Sequence, residues 1–320
     1  MSNKILNITH ADIDGAACTI LLKQYFGKDK VEAVPIPFNR ADVVCTKAIE
    51  EWSSKFKAIF VTDVYPSKEI AERFKGTNIY MYNHHESGIP KSKNCIIIPK
   101  QEYSAALVVA SKLIGIDKLD KQTKALVFLT TDYDSYKLSD KRSRFLNLLY
   151  FGKYTFESYV NRFITGFDAF TNSEKTYIDN VEAEIASLKK EVPNELWCWN
   201  FGGYKVSACT IYNHMNDITD HMFELEPLTD IAIALRVEQR KGSVRLRSTK
   251  ENDIHEGSDF NMQDFVTNIL KVKGGGHKFS GGFTWAAQDE VEGIPPFMVE
   301  FRRWNKTLKK NNFYKRTSLK

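Results

Sequence analysis

Short apolar runs recur through the first hundred residues, separated by more polar stretches. Residues 4–10, 32–38, 57–63, 78–83 and 94–98 are rich in β-branched and aromatic side chains and are bounded by turn residues, which predicts five short strands. Between them GAACTILLKQYF (15–26), residues 41–53 and residues 67–75 read as helices. Strands alternating with helices predict an α/β fold: a mostly parallel sheet covered by helices on both faces. Residues 102–190 then read as a run of helices, including ALVVASKLIG, KALVFLTT and EKTYIDNVEAEIASLKKEV. The last is charged on much of its surface, is expected to end at Pro193, and suits a connector between two lobes.

From residue 195 the texture changes. ELWCWNFGGYKVSACTI and DIAIALRVEQRKGSVRLRST each hold two strand-like runs around a turn, with helix-like segments near 214–223, 261–270 and 297–310. This predicts a catalytic domain over 1–170, a helical connector over 171–194, and a second, smaller α/β domain over 195–320. No internal repeat or low-complexity tract appears.

Composition narrows the class. Apolar residues make up 42% and charged residues 27%, as in a folded soluble protein, and no run approaches the length of a membrane span. The first ten residues lack a signal-peptide core, and the five cysteines (18, 45, 95, 198, 209) are scattered and never in C-x-x-C spacing. Both features point to the cytoplasm and to cysteines used as small buried apolar residues. The net charge of +5 hides an asymmetry, because Arg302 to Lys320 holds eight basic residues and no acid. A basic tail on a mildly acidic body is a handle for phosphates, or a solvated terminus.

The candidate chemistry lies at the strand ends, where open parallel sheets bind ligands. His10, Asp12, Asp14 and Gly15 follow the first strand; Asp63 ends the third; His84 and His85 end the fourth; Asp132 and Asp134 end KALVFLTT. If the first strand continued to residue 14, His10, Asp12 and Asp14 would share one side, and Gly15 would permit a tight turn into the helix. Several carboxylates converging with imidazoles cannot stay ionised together without a cation, and this donor mix suits manganese or magnesium better than a thiolate-type zinc site. A pair of ions about 3.5–4 Å apart would clamp a phosphate ester, generate hydroxide and stabilise the leaving oxygen.

HADIDG (10–15), the strand-end Asp63, NHH (83–85) and TTDYDSY (130–136) together resemble the four motifs of the DHH phosphoesterases. KGGGHKFSGGF (273–283), preceded by VRLRS (244–248), is similar to the glycine-rich signature of the partner domain usually called DHHA1. Within the family, HADIDGAACTILLKQYFG and YDSY are most similar to oligoribonucleases of nanoRNase type. The resemblance implies an active site in the cleft between the two domains, with two manganese ions (magnesium or cobalt as substitutes). His10 and Asp12 would hold one ion, Asp14 and His84 the other, with Asp63 bridging them. Asp134 would be the fourth-motif ligand, with Asp132 the alternative or a support. Asp12 and Asp63 thereby share in catalysis, while His85 would face the scissile phosphate. Gly274, Gly275, Gly276, His277, Arg247 and Ser248 would hold substrate; Arg245 shares a strand face with Arg247, and Tyr65, Tyr103 or Tyr136 could stack a base.

The function implied is degradation of short RNA or DNA oligonucleotides to mononucleotides by attack of metal-bound hydroxide, with RNA favoured. The chain would act away from membranes as a monomer or homodimer. The alternatives are a cyclic- or linear-dinucleotide phosphodiesterase, a phosphatase on a phosphoadenosine nucleotide, or a nucleotide-binding protein with weakened turnover. Asn83 motivates the last, because the family has Asp there; restoring aspartate is expected to raise activity at limiting manganese.

Overall fold

The structure is a computed structural model and describes residues 3–85, 87–100, 102–201, 204–236, 241–246, 273–276, 280–284 and 314–315. The chain divides into two compact units, Met1–Asp179 and Asn180–Lys320.

In the first unit, strands β1 (Ile5–His10), β2 (Val31–Ile36), β3 (Ala58–Thr62), β4 (Ile79–Asn83) and β5 (Cys95–Ile97) form one sheet in the order β2-β1-β3-β4-β5, every pair parallel. Alternation along each strand splits its side chains between two cores. Leu6, Ile8, Ile59, Val61, Ile79 and Met81 pack with Ala41 and Cys45 of helix α2 (Ala41–Lys47) and Ala71 of helix α3 (Lys68–Glu72). Ile5, Phe60 and Tyr82 pack on the other face with Leu21 and Leu22 of helix α1 (Ile13–Phe26) and Ala106 and Val109 of helix α4 (Ala105–Val109). Burial on both faces is why these strands read as nearly continuous apolar runs.

The chain moves from β1 to β2 on one side and then to β3 on the other. Connections therefore diverge at the carboxyl ends of β1 and β3, leaving a crevice at that switch point. Helices α5 (Lys121–Asp134), α6 (Lys141–Gly152) and α7 (Phe156–Arg162) build a third core in which Leu126, Leu146 and Tyr159 meet Ile13 and Ile20 of α1.

The first strand ends at His10, within the expected 4–10 run, so Asp12 and Asp14 do not continue it: Asp12 caps α1, accepting from Gly15 N at 2.9 Å, and Asp14 sits inside the helix. Two expectations change. The predicted helix over 41–53 gives way at Ala48 to a π-helical turn reaching Trp52. Helix α8 (Asn172–Glu195) runs two residues beyond Pro193. Proline there removes only the bond to the Lys189 carbonyl, and His221 Nε2 lies 3.2 Å from that oxygen as a substitute donor.

In the second unit, β6 (Trp197–Phe201) and β7 (Tyr204–Thr210) form a hairpin, as do β8 (Ile231–Arg236) and β9 (Lys241–Leu246), with helix α9 (Met215–Leu225) between the pairs. With β10 (Lys273–Gly276), β11 (Ser280–Thr284) and β12 (Tyr314–Lys315), the described strands order as β10-β11-β9-β8-β7-β6-β12, parallel only between β7 and β8. Ile218 and Met222 of α9 pack on Cys209, Ala232 and Ala234. The helix-like segments expected at 261–270 and 297–310 lie outside the described residues.

Candidate metal centre

Sequence order and strand order bring the four acidic and imidazole segments of the first unit together. His10 is the last residue of β1, Asp63 follows β3, His84 and His85 follow β4, and Asp134 is the last residue of α5. Three overlapping triads have ligand atoms within 4.8 Å of one another: His10–Asp12–Asp63, Asp14–His84–Asp134 and Asp63–His84–His85.

Asp63 stands between the others. Its Oδ2 lies 3.8 Å from His10 Nδ1, while its Oδ1 lies 3.5 Å from His84 Nε2 and 3.9 Å from His85 Nδ1. The backbone at Asp63 has φ 58°, a left-handed conformation that aspartate and asparagine tolerate better than most residues. His84 Nε2 also lies 3.3 Å from Asp134 Oδ2 and 3.9 Å from Asp14 Oδ2. The Asp14 carboxylate accepts from Ala105 N (2.6 Å) and Ala106 N (2.9 Å), which fixes it toward the centre.

The two fourth-motif aspartates separate cleanly. Asp134 Oδ2 is buried and accepts no hydrogen bond from any described residue. Asp132 faces elsewhere: its carboxylate accepts from Ser139 N (3.0 Å), the Ser139 hydroxyl, Asp140 N (3.2 Å) and the Ser143 hydroxyl (2.7 Å). It ties down the turn in which Tyr136 and Leu138 both adopt positive φ.

Asn83 is fully buried and works through one oxygen. Oδ1 accepts from His84 N (2.7 Å) and His85 N (2.9 Å) and meets His85 Nδ1 at 2.7 Å. Two backbone donors fix that atom as the oxygen, so His85 Nδ1 carries the proton and Nε2 is the ring's other working atom. The acceptor role expected of an aspartate is thus filled without its charge, and Asn83 Nδ2 has no hydrogen-bond partner among the described residues.

Electrostatics shows what the cluster lacks. Burial, then the Asp12, Asp14 and Asp134 charges, hold Asp63 well above the usual carboxylate range. Burial and the Asp12 charge do the same to Asp134. Burial and Asp134 push Asp14 up to about 7. Burial would raise Asp12 too, but its hydrogen bond to His10 at 2.7 Å and the His10 charge outweigh that and hold it at about 2. Burial lowers His84, favouring the neutral, ligand-ready imidazole. Carboxyls that repel one another, with buried oxygens left unpaired, fit divalent cations as the missing countercharge.

Sequence reasoning missed the layer beneath. Asn7, Thr9, Thr19 and Thr62 are buried, with Asn7 Nδ2 donating to Thr19 Oγ1 (2.9 Å) and the Thr62 hydroxyl within reach of Asn7 Oδ1 (3.0 Å) and Thr9 Oγ1 (2.8 Å). The signal was polar residues at alternate positions of a strand otherwise apolar. Gly15 lies against it: a Cβ there would stand 2.1 Å from the His10 carbonyl oxygen, so the glycine serves close strand–helix approach rather than a turn. Phe38 was also missed; it is exposed and beside His85.

Among the expected aromatics, Tyr65 lies 5.8 Å from the His85 ring, Tyr103 packs into the α1–α4 core, and Tyr136 meets Tyr133. Gly274, Gly275 and Gly276 form edge strand β10, paired with β11. Arg247, Ser248 and His277 lie outside the described residues, as does the Arg245 side chain.

No family model matches the chain, and no curated protein does. Solved structures do. A pGpG-specific phosphodiesterase, PggH, from Vibrio cholerae aligns over 97% of this chain and 100% of its own at 16% identity, with a TM-score of 0.56. The DHH domain of a member of the s1p family of ribosomal proteins aligns over 93% and 86% at 14% identity, with a TM-score of 0.61. The exonuclease RecJ bound to manganese aligns over 95% and 90% at 13% identity, with a TM-score of 0.53. The chain is similar to these three structures in fold.

Proposed function

We propose that the protein is a divalent-metal-dependent phosphodiesterase that degrades short single-stranded oligonucleotides, RNA above all, to mononucleotides. The observation that carries this reading is the convergence of Asp12, Asp14, Asp63 and Asp134 with His10, His84 and His85 at one sheet edge. The shared fold with a dinucleotide phosphodiesterase and an exonuclease supports it.

His10, Asp12 and Asp63 would hold one cation, and Asp14, His84 and Asp134 a second, with Asp63 facing both. Bound there, manganese or magnesium supplies the charge that neutralises the phosphate and lets water act as a nucleophile near neutral pH. The protein's own groups do the rest. The Ala105 and Ala106 amides hold the Asp14 carboxylate in place. Asn83 turns the His85 ring and holds a proton on Nδ1, so that Nε2, when the ring is the imidazolium, would give its own proton to the leaving oxygen and leave the ring neutral. Gly274–Gly276, His277, Arg247 and Ser248 carry the proposed role of holding substrate.

The test is a time course with manganese on labelled RNA of two, five and twenty-four nucleotides, with cyclic di-AMP alongside. Rapid loss of the two short RNAs, with the long one spared, is the expected result, and His84→Ala should lose roughly a hundredfold or more. Preference for dinucleotides, linear or cyclic, would favour a second reading as a dinucleotide phosphodiesterase, which the likeness to PggH supports. Silence on all substrates with cation bound would overturn both in favour of a binding protein.

A further inference from the structure

We infer that Phe38 is a stacking platform for the nucleobase attached to the scissile phosphate, so that the centre recognises nucleotides rather than phosphodiesters in general. The inference rests on the function proposed above and adds a residue that decides specificity.

Phe38 opens a short 3-10 turn, Phe38–Arg40, at the carboxyl end of β2. It belongs to none of the described hydrophobic cores, although its neighbour Tyr65 packs against one of them. A phenylalanine kept out of the core and 37% exposed forgoes burial energy, and its position explains why. The ring lies 5.6 Å from the His85 ring, 6.1 Å from His10 and 4.7 Å from Tyr65, at 63°, 81° and 84° to them. None of these rings lies parallel to it, so none takes the stacked position that a base would use.

The platform is rigid. Pro37 fixes the entry to the turn at φ −73°, Arg40 N donates to Pro37 O at 3.0 Å, and α2 begins at the next residue with Ala41 N bonded to Phe38 O. A ring held by backbone on both sides loses little entropy when a base stacks on it. Its two imidazole neighbours come from opposite flanks of the metal centre, His10 from β1 and His85 from the loop after β4. A phosphate seated between them puts its own nucleoside within reach of Phe38, one ribose away. Stacking tolerates any base, which suits a degradative enzyme without sequence preference.

The test measures binding of AMP and of ribose 5-phosphate to the full, manganese-loaded chain by calorimetry, with turnover of the linear dinucleotide pApA alongside. Wild type should prefer AMP. Phe38→Leu should weaken AMP by roughly 5- to 150-fold, leave ribose 5-phosphate unchanged, and raise KM for pApA with little change in kcat. Phe38→Tyr, which keeps the ring, should restore both. If Phe38→Leu binds AMP as wild type does, or weakens both ligands equally, the inference fails while hydrolysis of pApA keeps the functional reading intact. If AMP preference depends on Phe38 but pApA is never cleaved, the platform stands and the hydrolytic reading falls.

Discussion

Asp63 concentrates the site's conflict in one residue. It is buried, its backbone is left-handed, its Oδ2 accepts no hydrogen bond from a described residue, and burial with the neighbouring carboxylates raises its pKa. Such strain persists where the surroundings impose it and function uses it. An asparagine at this position would keep the shape and tolerate the same φ while removing the acid. Asp63→Asn should therefore leave the metal-free melting temperature within about 2 °C of wild type or raise it. Manganese at a hundred times its Kd should raise wild type by about 5–10 °C and the variant not at all. A variant that still responds to manganese would remove Asp63 from the ligand set; thermal scans with and without chelator decide it. The residue's place at a strand end was legible in the sequence, because a polar side chain after AIFVT breaks an apolar run. Its left-handed backbone was not, since aspartate also serves ordinary turns and caps.

At the scale of elements, α5 and the turn after it act together. Asp132 and Asp134 lie two apart on a helix end and so point to different sides, one into the turn and one into the centre. Asp132 also gathers Lys137 N and Leu138 N on its carbonyl oxygen. Asp132→Ala should cost about 2 kcal/mol of stability. If the turn also aims Asp134, the manganese concentration for half-maximal activity should rise about 10–100-fold with kcat preserved at saturation. A destabilised variant that titrates like wild type would leave Asp132 a structural tie alone. All five strands of the first sheet were legible: burial on both faces leaves mostly apolar runs in β1, β3 and β4, and edge strand β2, buried only at Val31 and Ile36, shows through its β-branched residues and the turn residues that bound it. The role of the residues after β1 was not: alternation through Asp14 imitates a continuing strand, and only the Asp12 cap shows the helix beginning. Nor was the passage of α8 beyond Pro193, because the carbonyl that proline orphans meets His221 from a distant helix.

At the scale of the whole molecule, the change of texture at residue 195 predicts a second α/β region, and the chain divides into two compact units at Asp179, inside α8. What sequence could not supply was depth: which polar residues of an apolar strand face a helix, as Asn7 and Thr9 do, follows from the sheet's order rather than from any local signal. That order also has a consequence in time. β1 lies inside the sheet between β2 and β3, and the last acid of the centre arrives with α5, long after its first. The centre cannot exist until most of the first unit has closed around it, so a cation meets a nearly native chain and has nothing earlier to nucleate. Manganese should then act as a late lock. At a hundred times its Kd it should slow unfolding by about 100-fold and leave refolding within about twofold, as read by stopped-flow against chelated protein. Faster refolding instead would mean that the strand ends gather before the sheet does.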